Sequence, residues 1–176
     1  MPNGRDFGVW IRSWSDLAPS LQTVGVPAPQ ELVIGYANFV PFPAAPWALT
    51  TGYARPAAAT GVSSNAKRSL SQAEILQGTR IITLTATYYL GNASAGAAAI
   101  SIALNRLHIA GGVVFIDQLA NVFDDVETNA WQTKAVTLAT VETVDWDTYT
   151  YELVADVAAT GTVDNARVSG AVIECE

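Results

Sequence analysis

From Gly78 to Glu176 the chain is a series of six or seven short β-prone runs, each broken by Gly, Asn or Asp. Short strands at about 8–12-residue spacing argue for an antiparallel sandwich or barrel and against a cofactor-binding α/β fold. The last run reaches the final residues. This predicts a C-terminal segment held inside a sheet.

The runs can be placed by parity. Arg80 to Leu90 puts Ile82, Leu84, Ala86 and Tyr88 on one face and Thr83, Thr85 and Thr87 on the other, the pattern of a half-buried strand. Gly91 to Gly96 reads as a turn. Ala97 to Ile109 predicts a long strand whose apolar parity slips near Arg106; a bulge there would reconcile it. Gly111-Gly112 turns the chain into a partner strand, Val113 to Leu119. Asn121 to Asn129 reads as an acidic loop and Trp131 to Thr140 as a strand. Tyr149, Tyr151, Leu153, Ala155 and Val157 then alternate cleanly with polar residues, with the two tyrosines expected to face inward. The closing run carries Val168, Val172, Ile173 and Cys175 on both parities. Such a strand is expected to lie centrally and to be covered on both faces, which makes Val172 and Ile173 candidate interface residues.

Residues 1–77 differ. They hold all eight prolines and three of the five tryptophans. That proline density argues against long helices and central strands, while the apolar content argues against a polar disordered tail. The expected organisation is an arm over 1–77 and a sandwich domain over 78–176. Within the arm, Trp14 to Pro19 suits one helical turn, Glu31 to Phe39 a strand, Thr50 to Ser64 a loop and Ser69 to Gln77 a short Ser-capped helix. Trp10, Trp14, Phe39, Phe42 and Trp47 are expected to bury against a subunit or partner, since aromatic residues dominate interface energetics.

Composition narrows the function classes. Only 14% of residues are charged, against about 25% in ordinary chains. Either the surface is rich in Thr, Ser, Asn and Ala, or much of it meets other subunits. A net charge of −7 with two lysines, Lys67 and Lys134, argues against nucleic-acid binding and against a polybasic membrane contact. The N-terminus lacks the form of a signal peptide, and no apolar run reaches membrane-spanning length. Cys175 stands alone and reads as a buried thiol; His108 stands alone in an apolar strand. Neither a nucleophile elbow, a phosphate cradle nor a zinc set is present, so no catalytic, cofactor or metal residue is assigned. Asp124, Asp125 and Glu127, with Asp145 and Asp147, leave calcium binding open.

Several segments carry a resemblance. Thr87-Tyr88-Tyr89, the Gly91–Gly96 turn, Leu104-Asn-Arg106, Thr143-Val-Asp-Trp-Asp-Thr-Tyr-Thr-Tyr151 and Arg167-Val-Ser-Gly-Ala-Val-Ile-Glu174 together make Gly78–Glu176 resemble the jelly-roll, TNF-like trimeric domain of phage and bacterial surface proteins. The resemblance implies an all-β, antiparallel jelly-roll-like β-sandwich behind an extended Pro/Trp-rich N-terminal arm. It implies a non-enzymatic, homotrimeric virion component such as a capsid decoration, head-fibre or tail-fibre protein, and it transfers no catalytic residue. An arm without heptads is short for a fibre shaft. This favours a decoration protein whose arm grips the major capsid protein or another virion protein. The alternative is a tail-fibre receptor-binding module that recognises a host surface glycan or protein.

Overall fold

A computed structural model describes residues 30–44, 47–61, 63–91 and 97–176. Eleven strands form two antiparallel sheets: β1 (Gln30–Gly35), β2 (Val40–Pro41), β3 (Trp47–Thr50), β4 (Tyr53–Pro56), β5 (Ser64–Ser69), β6 (Arg80–Leu90), β7 (Ala98–Ala110), β8 (Val113–Asp124), β9 (Ala130–Thr143), β10 (Thr150–Ala159) and β11 (Ala166–Cys175). One sheet has the order β3-β4-β11-β6-β9, with β1 also paired to β11; the other runs β2-β5-β10-β7-β8. The chain is thus an antiparallel jelly-roll-like β-sandwich.

Period-2 patterning explains which face of each strand is buried. On β10 Tyr151, Leu153, Ala155, Val157 and Ala159 point inward, between half-buried Glu152, Val154, Asp156 and Ala158. They meet Leu84, Ala86, Tyr88, Leu90, Ile100, Ile102, Leu104 and Ile173 in one core. Each fully buried aliphatic side chain of this kind contributes about 1.5–3 kcal/mol relative to exposure. Burial pushes the Cys175 thiol up from its ordinary pKa, in keeping with an inert core position.

Among the described residues, register shifts at three places adjust the parity. One between Ile81 and Thr83 turns Ile81 into the core in place of Ile82. A second, on β11 between Val168 and Gly170, lets Val168 share the inner face with Ala171, Ile173 and Cys175. Much of the two-sided apolar pattern of this strand is therefore a change of phase. The third lies between Leu104 and Asn105 in the β7–β8 pairing, but the extra residue, Leu119, is on β8. The pairing of β7 with β10 runs unbroken, so Leu107 and Ile109 keep their outward parity.

The strand β11 is central. It pairs with β6 on one side, and on the other with β1 along Gly170–Cys175 and with β4 at Val168. Gly170 is required at this crossing: a Cβ there would sit 2.4 Å from the Ile34 carbonyl oxygen.

The N-terminal part of the sandwich corrects the expected boundary. Residues 30–69, read as arm, supply β1, β3 and β4 to one sheet and β2 and β5 to the other. Proline is accommodated because Pro41 and Pro56 sit in strands of two and four residues. The stretch Thr50 to Ser64 holds β4 rather than a continuous loop. Ser69 to Gln77 forms turns, not a helix: Leu70 and Ile75 both insert into the core. The Glu74 carboxylate accepts from Ser71 N and Oγ at 2.9 and 2.7 Å and pairs with Arg68. The acidic loop is shorter than expected, because Asn121 to Asp124 belong to β8.

Candidate functional site

Two surface features stand out, at opposite ends of the sandwich. The first is a row across the outer face of one sheet. Cross-strand register sets Arg167 opposite Tyr89 and Tyr89 opposite Trp131. Pairing of Val168 with Ala54 brings the adjacent Tyr53 beside Arg167. Inner-face neighbours Ala54, Val168 and Tyr88 are buried, so alternation turns Tyr53, Arg167 and Tyr89 outward. The Arg167 guanidinium lies 5.0 Å from the Tyr53 ring centroid and 4.6 Å from that of Tyr89. Trp131 contacts both tyrosines, at 6.1 and 5.9 Å between centroids, yet is 47% exposed.

Polar groups rim this cluster. Asp164 pairs with Arg55 at 3.1 Å and with Arg167 at 3.7 Å, and its backbone carbonyl accepts from Arg167 Nε at 2.8 Å. The Tyr89 hydroxyl donates to Asn129 Oδ1. Asn129 is the one non-glycine residue with positive φ, 56°, among those described, a conformation that Asn tolerates better than most residues.

The second feature is the tip of the β7–β8 hairpin. Leu107 to Ile116 contains no Asp, Glu, Lys or Arg. Ile109, Val113, Val114, Phe115 and Ile116 are 74, 56, 55, 45 and 60% exposed. On the inner side of the tip His108 stacks on Phe115, with ring centroids 5.1 Å apart, and meets the Tyr149 edge at 5.7 Å. Beside the tip a cavity of about 440 Å³ is lined by Leu107, His108, Ile109, Val114, Trp146 and Tyr149, among others.

Between the sheets runs a polar network, buried at Glu142 and Tyr151 and opening to solvent at Asp117. Arg106 bridges Asp117 and Glu142, each at 3.0 Å. The Tyr151 hydroxyl donates to Glu142 at 2.8 Å and accepts from Asp145 N at 3.1 Å. Burial first, and the Glu142 carboxylate second, push the Tyr151 phenol well above its ordinary range. The groups satisfy one another, and the arrangement clamps the sheets together.

Of the acidic residues near the end of β8, Asp124 is fully engaged, whereas Glu127 is engaged through Oε1 and its Oε2 is buried without a hydrogen-bond partner. Tyr88 donates to Asp124, whose other oxygen accepts from Val126 N at 2.9 Å, and Glu127 accepts from Ala98 N at 2.9 Å. Burial alone would raise the Asp124 pKa, but these hydrogen bonds outweigh it and hold the carboxyl below its usual value. Among the described residues no group of three or more His, Cys, Asp or Glu is placed to hold a metal.

The residues singled out from sequence do not converge. Trp10 and Trp14 lie outside the described residues. Phe39 and Trp47 are core residues, 3 and 6% exposed, with their rings tilted by 34° and their centroids 5.5 Å apart, and Trp47 Nε1 donates to Ser64 O at 2.7 Å. Ile173 is fully buried. Their apolar surface is used within the chain and is not free for a partner. Phe42 is half-buried beneath Lys67, whose Nζ lies 5.8 Å from its ring. Val172 is half-buried on the outer face, opposite exposed Val33 of β1. Tyr53, Tyr89, Trp131 and Arg167 were missed as a group because only register brings them together. Leu107 and Ile109 carried a signal, their off-phase parity, which was read as a bulge.

No protein-family model and no curated protein sequence matches the chain. Solved structures do. The chain resembles the C-terminal family 22 carbohydrate-binding module of Clostridium thermocellum Xyn10B, with 12% identity, 81% of this chain and 91% of that chain covered, and a TM-score of 0.51. A second match is a xylan-binding domain of the same module family, with 12% identity, 84 and 95% coverage and a TM-score of 0.52. A chain of the infectious bursal disease virus Gt strain matches at 11% identity, over 85% of this chain and 32% of that one, with a TM-score of 0.40. At such identity the first two show the fold alone. Fold and surface together are consistent with a binding or structural β-sandwich domain.

Proposed function

We propose that the chain is a non-enzymatic virion structural protein, a homotrimeric capsid decoration subunit, that self-associates through the β7–β8 hairpin tip. The observation that carries this reading is the exposed, charge-free tip. Its five most exposed apolar side chains present on the order of 400–500 Å², comparable to the largest patch on an ordinary monomer (about 300–600 Å²) and more than half of the ~800 Å² that each partner brings to a standard interface. Covering that area would contribute about 10 kcal/mol before the costs of association. The partner is a second copy. The first residues of edge strand β8, Val113 to Ile116, carry no charge or proline to protect them and invite pairing, and closed symmetry among copies is what keeps such a surface from open-ended aggregation. Low overall charge supports the same reading. Residues 1–29, with Trp10 and Trp14, are proposed to reach the major capsid protein or another shell component.

Light scattering on the purified chain at micromolar concentration tests self-association. A trimer is expected, with Ile109→Asp/Ile116→Asp giving a monomer of unchanged thermal stability. A wild-type mass near that of one chain, 18.6 kDa, would refute it. Copy number in intact particles tests the location: tens to hundreds of copies fit a shell protein, and a handful fits a tail protein.

A further inference from the structure

The aromatic row lies at the other end of the sandwich from the hairpin tip. Glu142, paired in register with Ile81 near the start of β6, bridges to Arg106 near the tip. Tyr89 lies near the opposite end of the same eleven-residue strand. At about 3.3 Å per residue the two features are roughly 30 Å apart. The row therefore stays open when copies associate through the tip, and its chemistry is different. Its exposed surface centres on Trp131 where that of the tip is mostly aliphatic, and it is rimmed by Arg55, Arg167 and Asp164 where the hairpin stretch Leu107 to Ile116 has no charged residue.

We propose that Trp131, with Tyr53, Tyr89, Arg167, Arg55 and Asp164, forms a binding site for a neutral saccharide. A pyranose ring has an apolar C–H face and a rim of hydroxyls, each both donor and acceptor. The exposed indole of Trp131 offers the matching flat surface. It is held at fixed tilt by the two tyrosines, at 62° and 59°, so little side-chain freedom is lost on binding. Arg167 and Arg55 supply donors; Asp164, with a side chain 43% exposed, supplies an acceptor. Among the described residues the Arg167 terminal nitrogens donate to no acceptor, because only its Nε is engaged, by the Asp164 carbonyl. Alternating donors and acceptors beside an aromatic face suit hydroxyl recognition. Asp164 offsets part of the charge of Arg55 and Arg167, and the net charge of −7 disfavours an acidic sugar.

The inference does not depend on the assembly reading. The test uses the full chain on a panel of immobilised neutral hexose and pentose oligosaccharides, each matched with a uronic acid counterpart. Hits are followed by calorimetry and tryptophan fluorescence. The expected result is binding of at least one neutral saccharide, at least tenfold weaker to its acidic counterpart. Trp131→Ala should weaken binding at least tenfold and Asp164→Asn severalfold, with melting temperature and oligomer mass unchanged. Binding to nothing on the panel, equal binding to acidic counterparts, or full binding by Trp131→Ala would overturn it. So would dissociation of the oligomer on Trp131→Ala, which would make the row a protein contact.

Discussion

Asp156→Asn should make the protein more stable at neutral pH. Asp156 lies on the outer face of β10, paired with Asn65 of β5 and Ser101 of β7. Its Oδ1 is buried without a hydrogen-bond partner, and so is Oδ1 of Asn65. Neither of these two acceptors in the cross-strand pair is met by a donor. Burial raises the Asp156 pKa above its ordinary value. The folded state consequently holds its proton to higher pH than the unfolded chain. The penalty is absent below the unfolded value of about 3.9, grows as pH rises from there through the raised folded pKa, and is complete only above it. An unsatisfied buried acceptor costs about 1–3 kcal/mol, and the half-buried position of Asp156 points to the lower end. The substituted amide removes the charge and supplies the missing donor. For a domain of this size about 1 kcal/mol corresponds to roughly 2–4 °C. Thermal melts of both proteins at pH 7 and pH 3 should show that gain at pH 7 and little of it at pH 3. A variant that melts at or below the wild-type temperature at pH 7 would refute the reasoning.

Other substitutions probe the interior. Gly170→Ala places a methyl group against the Ile34 carbonyl, a backbone atom that cannot swing away; urea titration should show a loss of about 1–3 kcal/mol, and no loss would mean that β1 is not seated there. Tyr151→Phe strips a donor from Glu142 and an acceptor from Asp145 N, for an expected loss of about 2 kcal/mol, whereas Tyr89→Phe on the outer face should stay within about 0.5 kcal/mol in the same titration. His108→Gln should change stability or self-association at most, through the lost stack on Phe115. Loss of an enzymatic turnover in that variant, with assembly intact, would overturn the non-enzymatic reading.

Strands with one wet face were legible. Alternation at Tyr151 to Val157 placed β10 and its inward residues because a period of two needs only one strand to be seen. Apart from the strand expected over Glu31 to Phe39, which is present in part as β1, the segment from Gln30 to Ser69 was opaque for the converse reason. Its strands are two to six residues long, too short for a period to emerge, and proline there marks short strand ends rather than the absence of strands. Trp131 begins a strand whose residues are mostly exposed on both parities, so its neighbours said nothing about its face. Its partners come from β4, β6 and β11, and a cross-strand row depends on register, which a single strand does not encode. Bulges hid the phase of β11 in the same way: Val168 and Ile173 appear on opposite parities yet share the core.

The position of β11 also bears on when the protein can fold. Every strand it pairs with, β1, β4 and β6, precedes it in the chain, and β1 is matched to it across almost the whole described length. A ribosome that has released everything up to Asn165 has delivered β6 and β9 but not the strand that joins them to β1, β3 and β4. The other sheet has all of its members by Ala159 and can pair earlier, with one apolar face uncovered. Such an intermediate would expose Ile100, Ile102, Leu104 and Leu153 until β11 arrives, a window in which holdase binding or nascent-chain aggregation competes with closure. Long-range pairing of this kind is slow, so expression at lower temperature, where synthesis and collision both slacken, should raise the soluble yield without any change in sequence.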